Sequence, residues 1–190
     1  ADRMEKDYYS QHANSLAILT GIVNGQEAKD IGSKMLMDSS LAPASIYFKF
    51  YLHQALVKAG LGNDYLHWLD QWRANLKMGM TTWAEISDIN NARSDCHAWG
   101  ASPNIEFFRT VMGIDSEAPG FEVVKIEPRL GQLKNISGEI PHPRGKIFVN
   151  YQLQDGKWKI QISLPDKTSG HLVWNNNNYP LREGKNEFTF

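Results

Sequence analysis

Two runs joined by a short turn decide the fold of the C-terminal part of the chain: Lys146-Ile-Phe-Val-Asn-Tyr-Gln-Leu153 and Lys157-Trp-Lys-Ile-Gln-Ile-Ser-Leu164. Apolar and polar residues alternate in both runs, which is the period of a β-strand with one buried face. Asp155-Gly156 between them is a dipeptide typical of a two-residue hairpin turn. The stretch therefore predicts an antiparallel β-hairpin.

Shorter runs on both sides of this hairpin have the same texture. The predicted additional strands are Val123–Ile126, His171–Trp174 and Asn186–Phe190. About 70 residues of antiparallel strands with one apolar face predict a small β-sandwich over residues 118–190. Trp158 and Trp174 fit core positions of this sandwich, and the asparagine run at 175–178 is predicted to be a turn without chemistry.

The part of the chain before the linker at 113–120 has helix-length apolar periodicities instead. The predicted helices cover about Tyr8–Val23, Gln26–Met37, Ile46–Ala59, Asn63–Leu76 and Ser94–Met112. Short connections between them predict an array of α-hairpins. The expected fold class is thus α+β with two domains, a helical one over 1–117 and an antiparallel β-sandwich over 118–190.

Three local features refine the helical prediction. Leu16, Leu19 and Val23 are expected to form the buried strip of the first helix, which Asn24-Gly25 should end. Asn63 or Asp64 is expected to cap the fourth helix. Pro103 should kink the last helix or restart its first turn, because proline lacks a backbone donor.

Composition and charge exclude several classes of protein. The chain has 190 residues, with 20 basic and 21 acidic side chains and a formal net charge of −1. This balance argues against binding to nucleic acid or to an anionic membrane surface. A single cysteine, Cys96, excludes an internal disulfide framework. The first seven residues have neither a signal nor a transit pattern, so we expect a piece of a longer chain, with its compartment undetermined.

The segment between the last two predicted helices is the strongest candidate for chemistry. It is too long for a tight turn, and long loops on rigid scaffolds collect binding sites. Within it lie two indoles, three carboxylates and one imidazole: Trp83, Glu85, Asp88, Asp95, His97 and Trp99. Aromatic faces beside carboxylates suit a sugar site, because rings stack on the C–H face while a carboxylate handles a proton.

Residue types alone leave other interpretations of this loop open. The tryptophans could simply pack, Glu85 could be a surface charge or interact with a helix N-terminus, and His97 could cap a helix. Asp88, Asp95 and His97 match no spacing typical of a metal site, so no metal or other cofactor is expected.

Several motifs in a fixed order strengthen the sugar-site interpretation. They are Ala44-Ser-Ile-Tyr-Phe-Lys-Phe-Tyr-Leu52, Gly79-Met-Thr-Thr-Trp-Ala-Glu85, Ser94-Asp-Cys-His-Ala-Trp-Gly-Ala-Ser-Pro103, Gly120-Phe-Glu-Val-Val-Lys-Ile-Glu-Pro-Arg-Leu-Gly131 and Gly138-Glu-Ile-Pro-His-Pro-Arg-Gly145. Together they resemble the C-terminal portion of bacterial α-L-rhamnosidases of glycoside hydrolase family 78. The resemblance covers nearly the whole chain.

The resemblance implies a fold and a set of roles. Residues 1–117 would be the last helices of an (α/α)6 catalytic barrel, followed by the family's C-terminal β-sandwich. The parent enzyme would release terminal α-L-rhamnose with inversion. Glu85 would be the general base and His97 a substrate contact, and we predict that Trp83 and Trp99 also bind substrate. Trp83 stands two places before Glu85, where the family often has an aromatic directly before it. A Glu85 side chain buried in an ion pair, or aimed away from a cavity shared with His97, would remove the basis for this assignment and leave only the architecture.

No motif here resembles the family's general acid, so this chain alone is predicted to be inactive. Its partners would be a rhamnose-containing glycan or glycoside and the rest of the parent enzyme. Helix faces left unburied by an incomplete barrel should make the isolated chain self-associate. Two alternatives remain at this stage: another carbohydrate-active enzyme with an (α/α)6 barrel, and a non-catalytic glycan-binding β-sandwich on a helical stalk.

Overall fold

A computed structural model describes residues 9–190, which form two compact units that divide between Ile105 and Glu106. The first is helical and the second is a β-sandwich, which confirms the predicted α+β class. The expected boundary at 117/118 and the barrel origin of the helices stay predictions. The first seven residues and the expected helix start at Tyr8 lie outside the described residues. Among the helices that the structure describes, none combines the length and apolar character needed to cross a bilayer.

The helical unit contains regular helices separated by tighter or wider turns. Its helices are α1 (Gln11–Thr20), α2 (Gly25–Met37), α3 (Lys49–Leu56), α4 (Asp70–Lys77) and α5 (Ser102–Glu106), of which α5 continues into the second unit. The core between α1, α2 and α3 includes Ile18, Met35, Leu52, Ala55 and Leu56.

The first helix follows its predicted buried strip only in part, because Val23 is buried and Leu19 packs against the core while Leu16 does not. Ser15 and Ile18 are buried, whereas Leu16 is 49% exposed. Ile18 belongs to the cluster formed with α3, so the neighbouring helix selects the buried face rather than the leucine spacing. Gly21, with φ +78°, ends α1 in the left-handed conformation, four residues before the expected Gly25.

The predicted third and fourth helices are less regular than expected. After α3 a π-helical turn covers Val57–Leu61, and Gly60 leaves helical geometry with φ +83°, close to the predicted end. A 3-10 helix over Gly62–Leu69 replaces the first half of the predicted fourth helix, and α4 follows it. Leu69 precedes α4 and no side-chain cap forms there, so the expected caps at Asn63 and Asp64 are wrong.

The last predicted helix starts later than residue 94. A 3-10 turn covers Ala98–Ala101, followed by α5 and then by a π-helical turn over Phe107–Val111. Pro103 is the second residue of α5, so it lies in a first turn as expected, where its missing donor costs no helical hydrogen bond.

The β-sandwich has two four-stranded sheets. Its strands are β1 (Ile114–Ser116), β2 (Val123–Ile126), β3 (Asn135–His142), β4 (Gly145–Gln154), β5 (Lys157–Leu164), β6 (Ser169–Trp174), β7 (Asn177–Leu181) and β8 (Gly184–Thr189). One sheet has the order β1-β2-β6-β7 and the other β3-β4-β5-β8. All neighbours are antiparallel except β2 and β6, which run parallel.

The hairpin that decided the prediction lies in the middle of the second sheet. Strands β4 and β5 pair from Phe148↔Ser163 to Gln154↔Lys157, and Asp155 and Gly156 form the turn with φ +51° and +74°. Their inward side chains share one apolar core with residues of the other sheet such as Val124 and Leu172. Trp158 and Trp174 pack against this core with ring centroids 5.7 Å apart.

Candidate functional site

The backbone of the loop after α4 folds back on itself around Glu85. The Glu85 N–H donates to the Ser94 carbonyl at 2.9 Å, and the His97 N–H donates to the Trp83 carbonyl at 2.8 Å. These two bonds pair residues 83–85 with residues 94–97, so two segments about ten positions apart in sequence lie side by side. The loop thereby brings the predicted base and the predicted substrate contact into one site.

Gly100 fixes this pair of segments to the helical unit. Its carbonyl accepts a hydrogen bond from Trp72 Nε1 at 2.6 Å. A Cβ on Gly100 would lie 2.7 Å from the Cβ of Trp83 and 3.2 Å from the Ala84 carbonyl oxygen. Ala84 is fully buried. Close packing against Gly100 therefore holds the backbone that carries Glu85.

The carboxylate of Glu85 forms an ion pair with Arg93. Arg93 Nε donates to Oε2 at 3.1 Å, and Arg93 Nη2 donates to Oε1. The Glu85 side chain is 15% exposed and that of Arg93 is 85% exposed. The pair thus lies at the surface, and its arginine can be reached by water.

The surroundings of Glu85 favour its ionised form. The hydrogen bond from Arg93 holds the pKa of the Glu85 carboxyl below its usual range, against the opposing effect of partial burial. The imidazole of His97 has a smaller effect in the same direction on this pKa. An ionised carboxylate is the state that a general base requires.

Arg93 is a site residue that the sequence analysis missed. It lies eight positions after Glu85 and directly before Ser94, whose carbonyl holds the Glu85 backbone. The only available signal was a single basic residue between two motifs, and such residues are common on surface loops.

The predicted aromatic residues occupy different places. Trp99 is 67% exposed, with its ring centroid 6.1 Å from that of His97 and 5.4 Å from that of Tyr47. It lines an open aromatic cavity of about 600 Å³, together with Tyr47, Tyr51 and the residue Ser102. The Ser102 hydroxyl is buried and has no hydrogen-bond partner within the described part of the chain. Trp83 is half-buried and, like Glu85 and His97, is not among the residues that line this cavity.

Of the two other acidic residues in the loop, Asp88 makes local contacts through its carboxylate and Asp95 through its backbone carbonyl. Asp88 accepts hydrogen bonds from the Asn90 N–H at 3.1 Å and from Asn91 Nδ2 at 2.6 Å. The Asp95 carbonyl accepts the Thr82 hydroxyl. Over the described residues, no three His, Cys, Asp or Glu side chains converge closely enough to hold a metal ion.

One protein-family model matches the β-sandwich unit of the chain. Residues 113–189 match the sequence model described as bacterial alpha-L-rhamnosidase C-terminal domain. No curated protein sequence matches the chain significantly.

Solved structures extend this similarity to the helical unit. The GH78 family rhamnosidase of Bacillus sp. GL1 is 25% identical with a TM-score of 0.79, over 88% of this chain and 19% of that one. The α-L-rhamnosidase of Aspergillus terreus is 18% identical with a TM-score of 0.81, over 95% of this chain and 24% of that one.

The Streptomyces avermitilis α-L-rhamnosidase, solved in complex with L-rhamnose, is 17% identical with a TM-score of 0.79, over 97% of this chain and 22% of its own. The chain therefore spans about a fifth to a quarter of the length of these relatives. The matches confirm the family resemblance that the motifs indicate.

Proposed function

We propose that this chain, which matches the C-terminal portion of GH78 α-L-rhamnosidases, is part of a glycoside hydrolase that releases terminal α-L-rhamnose, with Glu85 as its general base. The observation that supports the proposal is the folded-back loop, in which backbone hydrogen bonds pair residues 83–85 with residues 94–97. A full-length protein would supply the general acid, and this chain alone would be inactive.

The proposed mechanism is inverting hydrolysis. It uses two carboxyl groups about 6.5–9.5 Å apart, one protonating the leaving oxygen and the other removing a proton from the attacking water. Glu85 fits the second role because its environment keeps it ionised. A carboxylate has about four acceptor sites, and Arg93 uses two of them. The remaining sites can bind and orient the water.

His97, Trp99 and Trp83 are proposed substrate contacts. The imidazole of His97 can exchange hydrogen bonds with sugar hydroxyls, and the exposed face of Trp99 can stack on an apolar ring face. Trp83 is half-buried against Gly100, so its proposed contribution is mainly to position the loop.

Replacing Glu85 in the full-length protein tests the assignment. Glu85→Gln keeps the size of the side chain but removes the base, so turnover of an aryl α-L-rhamnoside should fall about 10²–10⁴-fold. The matched control is Asp88→Asn, another carboxylate of the same loop, which should retain near-normal turnover. NMR of the first sugar released should detect the inverted anomer. Near-normal turnover by Glu85→Gln would refute the role of Glu85.

A further inference from the structure

We infer that Arg93 is the positioning residue for Glu85: its guanidinium fixes the orientation of the carboxylate and leaves one side of it open to water. The inference deepens the proposed function and rests on it. It concerns a residue that does not need to touch the sugar, because it acts through Glu85.

The geometry supports a positioning role. Arg93 uses two different nitrogens for the two carboxylate oxygens, a bidentate arrangement that fixes rotation of the carboxylate as well as its place. The next residue, Ser94, accepts the Glu85 N–H. One dipeptide, Arg93-Ser94, therefore holds both the side chain and the backbone of Glu85.

Folding stability is a poor explanation for this ion pair. The Arg93 side chain is 85% exposed, and ion pairs with so exposed a partner add little to the free energy of unfolding because water screens them. Its effect is instead concentrated on Glu85, whose side chain is 15% exposed and whose environment is correspondingly less screened.

Arg93 also sets the pH range in which Glu85 can act. Two neighbouring groups that can carry positive charge, Arg93 and His97, both lower the pKa of Glu85, and Arg93 has the larger effect. Without Arg93 the pKa of Glu85 should rise. Partial burial raises this pKa, and His97 would then be the remaining group of the two that lowers it. The acid limb of the rate profile, where the base becomes protonated, should move to higher pH.

The test uses Arg93→Gln and Arg93→Lys in the full-length protein. For Arg93→Gln we expect kcat to fall about 10–100-fold, because a misplaced base loses alignment with its water, while KM changes little. The acid limb of kcat/KM should move to higher pH. In Arg93→Lys the acid limb should return toward its original pH, whereas kcat should recover less. Lysine keeps the positive charge but lacks the planar guanidinium that binds both carboxylate oxygens.

Arg73→Gln is the matched control. Arg73 is another exposed arginine of the helical unit that pairs with a carboxylate, Asp70. This variant should leave kcat, KM and the acid limb unchanged. Two results would overturn the inference: an acid limb that does not move in Arg93→Gln, or a rise in KM with unchanged kcat, which would mean that Arg93 binds substrate directly.

A carboxyl titration by NMR separates this inference from the proposed function. In the present 190-residue chain, the Glu85 Cδ signal, identified by its loss in Glu85→Gln, should titrate at higher pH in Arg93→Gln. If that shift occurs while Glu85→Gln retains turnover, the ion pair stands and the proposed base role fails. If Glu85→Gln abolishes turnover while Arg93→Gln shifts neither the titration nor the acid limb, only the positioning role fails.

Discussion

The β-sandwich unit buries its large apolar side chains, whereas the helical unit leaves many of its own in contact with solvent. In the sandwich, both sheets contribute to one core whose members, such as Ile147, Ile162 and Leu172, are fully inaccessible. In the described part of the helical unit the exposed large apolar residues are Tyr9, Leu16, Ile22, Leu36, Met37, Tyr47, Tyr51, Leu76, Met78, Ile86, Trp99 and Ile105. Only Phe107 joins them from the described sandwich unit.

The two units also differ in how well the hydrogen-bonding needs of their buried polar side chains are met. Among residues 9–190, buried polar atoms without a hydrogen-bond partner occur in the helical unit, in Ser45, His53, Gln71, Asn75 and Ser102. A buried polar atom without a hydrogen-bond partner lowers the stability of the fold. Exposed apolar surface favours association with another surface. The sandwich therefore satisfies its own packing needs, while the helical unit has surfaces that suit further contacts.

Separating the units should have the largest effect. We expect residues 106–190, expressed alone, to remain monomeric and to unfold cooperatively, because their core is continuous. Residues 1–105 should self-associate through their exposed apolar side chains. Sedimentation velocity and thermal unfolding followed by circular dichroism would measure both. Changing Ile22 and Met37 to lysine should reduce the association of the helical fragment. A 1–105 fragment that is monomeric and folds cooperatively would contradict the stated difference between the two units.

A matched pair of substitutions sharpens the comparison within the intact chain. Ile162→Ala removes a fully buried side chain from the sandwich core and should lower the free energy of unfolding by about 2–5 kcal/mol. Ile22→Ala removes the same atoms from a side chain that is 81% exposed and should change it by less than about 0.5 kcal/mol. Denaturant titration of both variants gives the two values. Equal losses would mean that Ile22 is covered in solution.

The sandwich was the more predictable unit because its signals are local. Alternation and a positive-φ turn specify β4 and β5 without reference to distant residues. Strands β1, β3 and β7 were not predicted from the sequence. Strand β1 has three residues, β3 contains a glycine and a proline at the edge of its sheet, and β7 begins within the asparagine run, after Asn175 and Asn176 form the predicted turn.

The helical unit was less predictable because long-range contacts decide its details. The face that α1 buries depends on its packing against α3. The loop after α4 depends on the absence of a side chain at Gly100, where a Cβ would collide with Trp83 and the Ala84 carbonyl. Family motifs suggested Glu85 and His97 as site residues, and their roles stay predictions. Arg93 had no motif, since its contact with Glu85 arises only when residues 86–93 turn back.

His53 provides a smaller and pH-dependent test of the helical unit. It is 2% exposed, with the rings of Tyr65, Trp68 and Trp72 centred 5.4–5.7 Å from its own. Burial lowers the pKa of His53 to about 3, and the nearby Lys49 adds to the shift. The folded state therefore holds a neutral imidazole at pH values where the unfolded chain, with an ordinary pKa near 6.5, takes up a proton.

The sign of the effect follows from this difference. Above about pH 6.5 neither state is protonated and the helical unit has its full stability, which is lost as the pH falls toward 3 by about 1.4 kcal/mol per unit. NMR should detect no titration of the His53 ring between pH 8 and 4. Unfolding of His53→Gln should depend less on pH over this range than that of the unchanged chain. A His53 ring that titrates near pH 6.5 would mean that water reaches this site, and the helical unit would then be still more open than its exposed apolar surface indicates.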